Sequence, residues 1–378
     1  TDVLLIKPEQ GPMLNFVIDG IAIHANPEIR PGRHAIVIDT TEHAVSGLNI
    51  KNNWLSTVNG RSIKLRNSDA NGDPINLTGL HNSIIQNNGM MGGIDLENAG
   101  SSIRIIGNVF YPIRNLDNNP YTGIDVKLMP GKSHLYVAHN NMTPAGGAVR
   151  VTSGRNISIL YNQIEQPMEN TNPENATISI LGLPNNRVDS VLIMGNNINA
   201  HQMAEYNIFI DYANRVAVRD NVMYAGSVKN IWIGTGARNT EIGAGNHFFA
   251  PGNPELTESE AVDDYGTGTT GMMRKLTLQN NWVNYGGTLR TAAVKKDNEG
   301  FVHLSGVIKD GITAPGTVIA ELPAGYRPEK AVKLMAMMRD GGVPNIAEID
   351  IMPDGRIILQ EGGNLYLTLE GLKFSAAR

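Results

Sequence analysis

The chain has 378 residues, 18% of them charged, with 41 glycines, no cysteine and a net charge of −5. This length exceeds one usual hydrophobic core, and the composition favours short strands and turns over charged helices. Disulfide and thiolate chemistry are excluded, no Lys/Arg run suits nucleic acid, and no apolar stretch is long enough for membrane insertion. The first residues lack signal-peptide features, and Thr1 suggests a fragment of a longer protein.

Along the chain, one phrase recurs: apolar, any residue, apolar, two spacers, asparagine. The first copy is Ile21-Ala22-Ile23, with Asn26. Ser83 is the one polar residue at an apolar position of the pattern. A recurrence every 20 to 35 residues predicts a solenoid. The asparagines are expected to form an internal ladder of amide hydrogen bonds. They are Asn26, Asn53, Asn88, Asn108, Asn140, Asn162, Asn196 and Asn221.

A second class of short alternating strands lies between the asparagines, and its members include Ile63-Lys64-Leu65, Ile94-Asp95-Leu96, Ile124-Asp125-Val126, Val149-Arg150-Val151, Ile178-Ser179-Ile180, Ile208-Phe209-Ile210 and Ile231-Trp232-Ile233. Two strand classes at this spacing predict an all-β protein built on a right-handed parallel β-helix. The polar stretches 66–74, 111–123 and 165–177 should protrude as loops, where ligands are usually bound.

The repeat is lost after Asn246, and the residue pattern of the sequence changes twice beyond it. We expect the β-helix over residues 1–249, a linker over 250–271 with a helical turn near Ser259, and an antiparallel β-sandwich over 272–378. Hairpin turns are predicted at Asp297 to Gly300 and at Pro353 to Gly355. The sandwich would cover the open end of the solenoid.

The C-terminal segment contains NNWVNYGG, GFVHLSGVIKDG, ELPAGYRP, IDIMPDGRIIL and LYLTLEGLKFSA. It resembles the C-terminal module of bacteriophage tail-spike, tail-fibre and neck-appendage proteins, which follows a trimeric right-handed β-helix. The solenoid resembles the pectate-lyase-like superfamily through its repeat alone. The resemblance implies a homotrimer on the virion, made in the host cytoplasm, attached to tail or neck proteins through an upstream region. It would bind a cell-surface polysaccharide or teichoic acid during host adsorption.

Residues midway between inward apolar positions point outward, about 5 Å from their neighbours in adjacent coils. Asp95 and Asp125 are therefore expected side by side, the separation of a retaining glycosidase, where mutual repulsion would raise one pKa. They are the candidate catalytic residues. Arg150, Glu97 and Lys127 are the substrate-binding candidates beside them. The alternative is a solvated ladder in which Arg150 and Lys127 neutralise the acids.

Phe209 and Trp232 are predicted as outward rings on the same face and complete the substrate-binding candidates, with Tyr136 outward on the other strand class. Such rings stack on sugars or become buried at a subunit interface. Trp282, Tyr285, Phe301, Tyr326 and Tyr366 in the C-terminal module could line a sugar site, although sandwich core is the simpler interpretation.

Asp69 to Asp73 resembles the start of a calcium loop but lacks the downstream glutamate, so a polar turn is favoured. The histidines show no metal-ligand spacing, and no nucleotide loop occurs, so neither a metal nor a cofactor is predicted. Three functions stay open: a receptor-binding spike, a polysaccharide depolymerase acting as hydrolase or lyase, and a stalk that binds no saccharide. Activity as an enzyme is therefore undecided.

Overall fold

The structure is a computed structural model. It describes residues 3–25, 34–57, 60–111, 122–144, 146–165, 176–224, 226–252, 254–256, 258–266, 269–297 and 299–377. The chain divides into two compact units. The first comprises Thr1–Arg238 and Ala244–Gly266, and the second comprises Asn239–Gly243 and Thr267–Arg378.

Three parallel sheets form the first unit, and successive coils add a strand to each of them. The strands of sheet 1 are Leu4–Ile6, Ile36–Asp39, Ile63–Arg66, Ile94–Ala99, Ile124–Leu128, Val149–Ser153, Ala176–Leu181, Tyr206–Asp211, Ile231–Ile233 and Val262–Asp264. Those of sheet 2 are Val17–Asp19, Asn49–Lys51, Ser83–Gln86, Ile103–Ile106, Ser133–Ala138, Arg155–Leu160, Val188–Met194 and Ala213–Arg219. Those of sheet 3 are Ala22–Ala25, Trp54–Thr57, Gly89–Met91, Val109–Tyr111, Asn141–Met142, Gln163–Glu165, Asn197–Asn199, Val222–Tyr224 and His247–Phe249, with Glu255–Leu256 added antiparallel. A small sheet contains Met13–Leu14, Val45–Ser46 and Leu80–His81.

In each strand, buried apolar residues alternate with outward-facing residues, and the buried ones form the core of this unit. In sheet 1, Ile94, Leu96, Ile124 and Val126 are fully buried, and the residue between each pair faces outward. Burial of β-branched and leucine side chains from every coil supplies the hydrophobic stabilisation. The predicted parallel β-helix is confirmed.

The asparagine ladder is present inside the bend between sheets 2 and 3. Asn88 donates its backbone N–H and its side-chain amide to Oδ1 of Asn108, both at 3.0 Å, and also donates to the carbonyl of Ile50. The pattern repeats from Asn53 to Asn246. The residue before each of these asparagines has a φ between 54° and 78°, the left-handed conformation that turns the chain.

The first coil differs from the prediction. Ile18 pairs with Ile50 and Ala22 pairs with Trp54, so Ile21 occupies the asparagine position. Its backbone N–H donates to Oδ1 of Asn53 at 2.9 Å, and Gly20 before it has a φ of 69°.

The proposed first copy, Ile21-Ala22-Ile23, is therefore wrong in register, and Phe16-Val17-Ile18 is the equivalent segment. Asn26 lies outside the described residues. Among the described strands, Val17–Asp19 is the edge of sheet 2, so no described coil presents an N–H to the side chain at position 21.

The second unit contains two antiparallel sheets around one core. One has the order Met273–Lys275, Ala293–Lys296, Phe301–Ser305, Lys373–Ser375. The other has the order Val283–Asn284, Val307–Lys309, Tyr366–Thr368, Val332–Asp340, Val343–Ile351, Arg356–Glu361, Thr317–Glu321. Buried side chains of both sheets share a cluster that includes Val302 and Leu359, which confirms the β-sandwich. The predicted hairpin turns join antiparallel partners. Glu241–Ile242 is a further short strand of this unit.

Residues 250–271, suggested as a linker, include regular structure. The helical turn is Glu258–Ala261, and Val262–Asp264 pairs with Ile231–Ile233 as the last strand of sheet 1. Two predicted loops lie largely outside the described residues, at 112–121 and 166–175. Within the described part of the chain, no helix has the length and apolar character needed to cross a bilayer.

Candidate functional site

The outer face of sheet 1 brings the predicted site residues into one row. Hydrogen-bonded register places neighbours in adjacent coils side by side, in the order Lys64, Asp95, Asp125, Arg150, Ser179, Phe209, Trp232 and Asp263. Alternating inward isoleucine and valine hold this row outward, so a period-2 pattern is sufficient to place it. One end of the row is charged, and the other end carries the two aromatic side chains followed by Asp263.

Each carboxylate of the charged end has its own cation. Lys64 Nζ lies 2.5 Å from Asp95 Oδ2, and Arg150 donates two hydrogen bonds to Asp125, at 3.2 and 2.7 Å. Arg61 extends between the two acids, 3.9 Å from Asp95 and 4.0 Å from Asp125. Each carboxylate therefore has a hydrogen-bonded cation, Arg150 for Asp125 as the charge-ladder alternative expected, but Lys64 rather than Lys127 for Asp95.

Glu97 and Lys127 are also neighbours in register, with a 3.9 Å separation between charged atoms. Lys127 donates a hydrogen bond of 2.9 Å to the carbonyl of Gly72. Asn98 donates to the same carbonyl, so the turn containing Gly72 is attached to sheet 1. Lys127 and Asn98 therefore hold this loop beside the carboxylates by hydrogen bonds.

The turn at Asp69 uses its carboxylate internally. Oδ1 of Asp69 accepts from the backbone N–H groups of Asp73 and Asn71, at 2.9 and 2.8 Å, and these bonds hold the pKa of Asp69 below its ordinary value. No group of three or more His, Cys, Asp or Glu side chains arranged for a metal ion occurs among the described residues. The geometry is that of a polar turn.

The aromatic end of the row is a cluster of four rings. Phe209 and Trp232 are stacked, with centroids 4.3 Å apart and planes 9° apart. Tyr206 lies against Phe209, and Tyr265 lies against Trp232. The side chain of Tyr265 is 57% exposed, and burial together with nearby Asp263 raises the pKa of Tyr206. This set, the aromatic cluster, is an apolar surface that remains partly open to solvent.

The aromatic residues of the C-terminal unit have separate roles. Trp282 and Tyr326 are buried in the sandwich core, and Tyr326 donates to the carbonyl of Thr269 at 3.0 Å. Phe301 and Tyr366 are partly buried, and Tyr285 is 44% exposed. These residues do not form one apolar site.

Sequence reasoning missed three members of the sheet 1 surface. Arg61 lies in the turn before its strand, where alternation has no meaning, and only its proximity in space reveals it. Tyr265 follows a strand in the stretch that resembled a linker. Tyr206 is three residues before Phe209, a spacing that strict alternation would place on the opposite face, but Asn207 and Ile208 are both buried and the break in alternation leaves the two rings on the same side.

No protein-family model matches the sequence, and no match was found among curated proteins. Among solved structures, the Dettilon tailspike protein is 11% identical, with 94% of this chain and 86% of that one covered at a TM-score of 0.43. A mutant tailspike of E. coli bacteriophage HK620, in complex with a hexasaccharide, is 12% identical, with coverage of 93% and 74% and a TM-score of 0.38.

The receptor-binding protein of Listeria phage PSA is 18% identical over 28% of this chain, at a TM-score of 0.25. That match spans 66% of the Listeria phage protein, a little under two thirds of its length. The predicted resemblance to phage tail proteins is thus found among solved structures, and at these identities it concerns the fold alone.

Proposed function

We propose that the chain is part of a phage tail spike or appendage that binds a host cell-surface glycopolymer, such as wall teichoic acid or capsular polysaccharide. The observation that carries the proposal is the stack of Phe209 and Trp232, held partly exposed on a rigid sheet. Aromatic side chains that are partly exposed to water gain free energy when an apolar sugar surface covers them. A homotrimer and a location on the virion belong to the same proposal, supported by the resemblance of the C-terminal motifs.

Retention of host wall polymer on the immobilised protein tests this function. Replacing Phe209 or Trp232 by alanine should weaken retention by about three- to tenfold for each ring. Tyr161→Ala is the matched control, because Tyr161 is another exposed ring that stacks on His139 away from sheet 1. Unchanged retention in the double variant would refute the site. No retention by wild-type protein at micromolar concentration would favour a stalk.

A polysaccharide depolymerase is the second candidate, because Asp95 and Asp125 are direct neighbours in register. The ion pairs of both acids favour binding over turnover, since a two-carboxylate mechanism needs one acid available as a proton donor. Incubation with wall polymer, followed by assay of new reducing ends and of lyase double bonds, distinguishes the two functions. Turnover that is abolished by Asp125→Asn would overturn the proposal of binding alone.

A further inference from the structure

A groove of about 550 Å³ crosses three consecutive coils on the outer face of sheet 2. Its polar lining residues are Ser102, Arg104, His134, Tyr136, Asn156 and Ser158. The lining contains a guanidinium and an imidazole but no carboxylate among the residues that the structure describes. In a chain with a net charge of −5, this composition selects for a negatively charged ligand.

Arg104 is the principal cation of the groove. It is exposed, and within the described residues its side chain has neither an ion-pair nor a hydrogen-bond partner. On sheet 1, by contrast, the side chains of Lys64 and Arg150 are engaged by Asp95 and Asp125. A guanidinium presents a planar fork of donors that matches phosphate or carboxylate oxygens. Arg104 is therefore available for an external anion.

Tyr136 lies directly beside Arg104 in register, and Ser158 follows it in the next coil. Because serine is small, it leaves room beside the ring. Along the start of the strands, Ser102, His134 and Asn156 share a left-handed backbone, with φ of 62°, 71° and 55°. The repeated bend sets their polar side chains at one margin of the groove, where hydroxyl and amide groups can bond sugar hydroxyls.

We propose that this groove binds an anionic saccharide unit. Arg104 holds its phosphate or carboxylate, the sugar ring packs on Tyr136, and the polar margin bonds its hydroxyls. The inference rests on the proposed function for the idea that the ligand is a glycan. The groove lies on sheet 2, whereas the aromatic cluster lies on sheet 1. The inference adds that the bound sugar is anionic.

The test uses three monosaccharides that differ in charge: glucose 1-phosphate, glucuronic acid and glucose. Affinities for the full chain are measured by ligand-observed NMR titration. At least one anionic sugar should bind more tightly than glucose, and Arg104→Gln should weaken that binding roughly tenfold or more. Arg215→Gln is the matched control, because it removes the same charge from sheet 2 at a residue paired with Asp189. Thermal unfolding verifies that both variants are folded.

Preference for glucose 1-phosphate identifies a phosphate polymer, and preference for glucuronic acid identifies a uronate polymer; both support the inference. Equal binding of all three sugars, binding of none, or equal losses in the two variants would overturn it. A Tyr136→Ala variant that changes the oligomeric state in light scattering but not anion binding would also overturn it, by assigning the groove to a subunit interface.

These outcomes are separable from those of the proposed function. A protein that binds glucose 1-phosphate through Arg104 but retains no wall polymer disproves the proposed function and leaves the groove as a site. A protein that retains wall polymer while Arg104→Gln behaves as wild type on all three sugars disproves the groove alone.

Discussion

Asn108 donates both its backbone N–H and its side-chain amide to Oδ1 of Asn140, at 2.9 and 3.0 Å. Each buried asparagine of the ladder is thus an acceptor for the previous coil and a donor to the next. The hydrogen bonds run along the stack, so coils cannot slip by one residue without orphaning buried polar groups. The ladder therefore determines the register that aligns both candidate surfaces.

Replacing Asn108 by alanine should lower the free energy of unfolding by about 2 to 4 kcal/mol, because buried donors of Asn88 lose their acceptor. Asn108→Asp should be worse, because a carboxylate cannot donate and would be buried with its charge. Urea unfolding measures both. Asn141→Ala, at an exposed asparagine next to the ladder, should change stability by less than about 0.5 kcal/mol. Equal losses at positions 108 and 141 would contradict the role of the ladder.

Gly93 and Gly131 both have positive φ, of 69° and 78°, but differ in their surroundings. A Cβ on Gly93 would lie 2.5 Å from the carbonyl oxygen of Gly123, whereas a Cβ on Gly131 would meet nothing within 4 Å. Gly131→Ala should cost about 1 kcal/mol through backbone strain alone. Gly93→Ala should cost about 3 kcal/mol or more, because backbone must also move. Thermal unfolding of the pair checks this order, and similar melting temperatures would refute it.

Asp125→Asn should destabilise the chain more than Arg150→Gln. The first change leaves Arg61 and Arg150 without the carboxylate between them, whereas the second leaves Asp125 with Arg61. Because these groups are partly exposed, we expect the free energy of unfolding to fall by about 1 to 2 kcal/mol for Asp125→Asn and by about 0.5 to 1 kcal/mol for Arg150→Gln. Urea unfolding at low and high salt measures them. The difference in the free energy of unfolding between the two variants should be smaller at high salt, because salt screens the charges. A larger loss for Arg150→Gln would contradict this account.

Asp297 in the second unit predicts a pH dependence. Partial burial acts to raise its pKa, but hydrogen bonds from His303 and from the N–H of Phe301 outweigh it and hold the pKa below its ordinary value. A carboxyl group with a lowered pKa stabilises the folded state above its unfolded pKa, and this contribution is lost as the pH falls through the folded value. Solvent screening keeps the effect at about 1 kcal/mol or less.

The variant Asp297→Asn should reduce hydrogen-exchange protection of the Phe301 amide at pH 6, and the difference from wild type should shrink as the pH falls through the lowered pKa of Asp297. Glu299→Gln serves as the control, because it changes charge in the same turn while its carboxylate accepts no hydrogen bond from the described residues. A difference that stays unchanged down to the lowest pH at which the wild-type protein remains folded would show that the carboxylate charge is not its cause.

The sequence by itself determined the architecture and the direction of side chains. Alternation of period two is a local property, so it showed that Asp95, Asp125, Phe209 and Trp232 face outward and that neighbours align. The asparagine recurrence indicated the solenoid, and its loss marked the second unit. The register of the first coil was misread because Ile21 replaces the asparagine that the pattern relies on.

Only the tertiary structure decided which charges are paired and which surfaces are open. Arg61 reaches both acids from a turn, and Tyr265 joins Trp232 from a segment without a repeat. The groove at Arg104 depends on the outward side chains of three adjacent coils and on the absence of an acid among the described residues that line it. Side-chain reach and the surface shape that neighbouring coils form together carry no period along the chain. They arise when distant residues stack, and for that physical reason they could not be read from spacing.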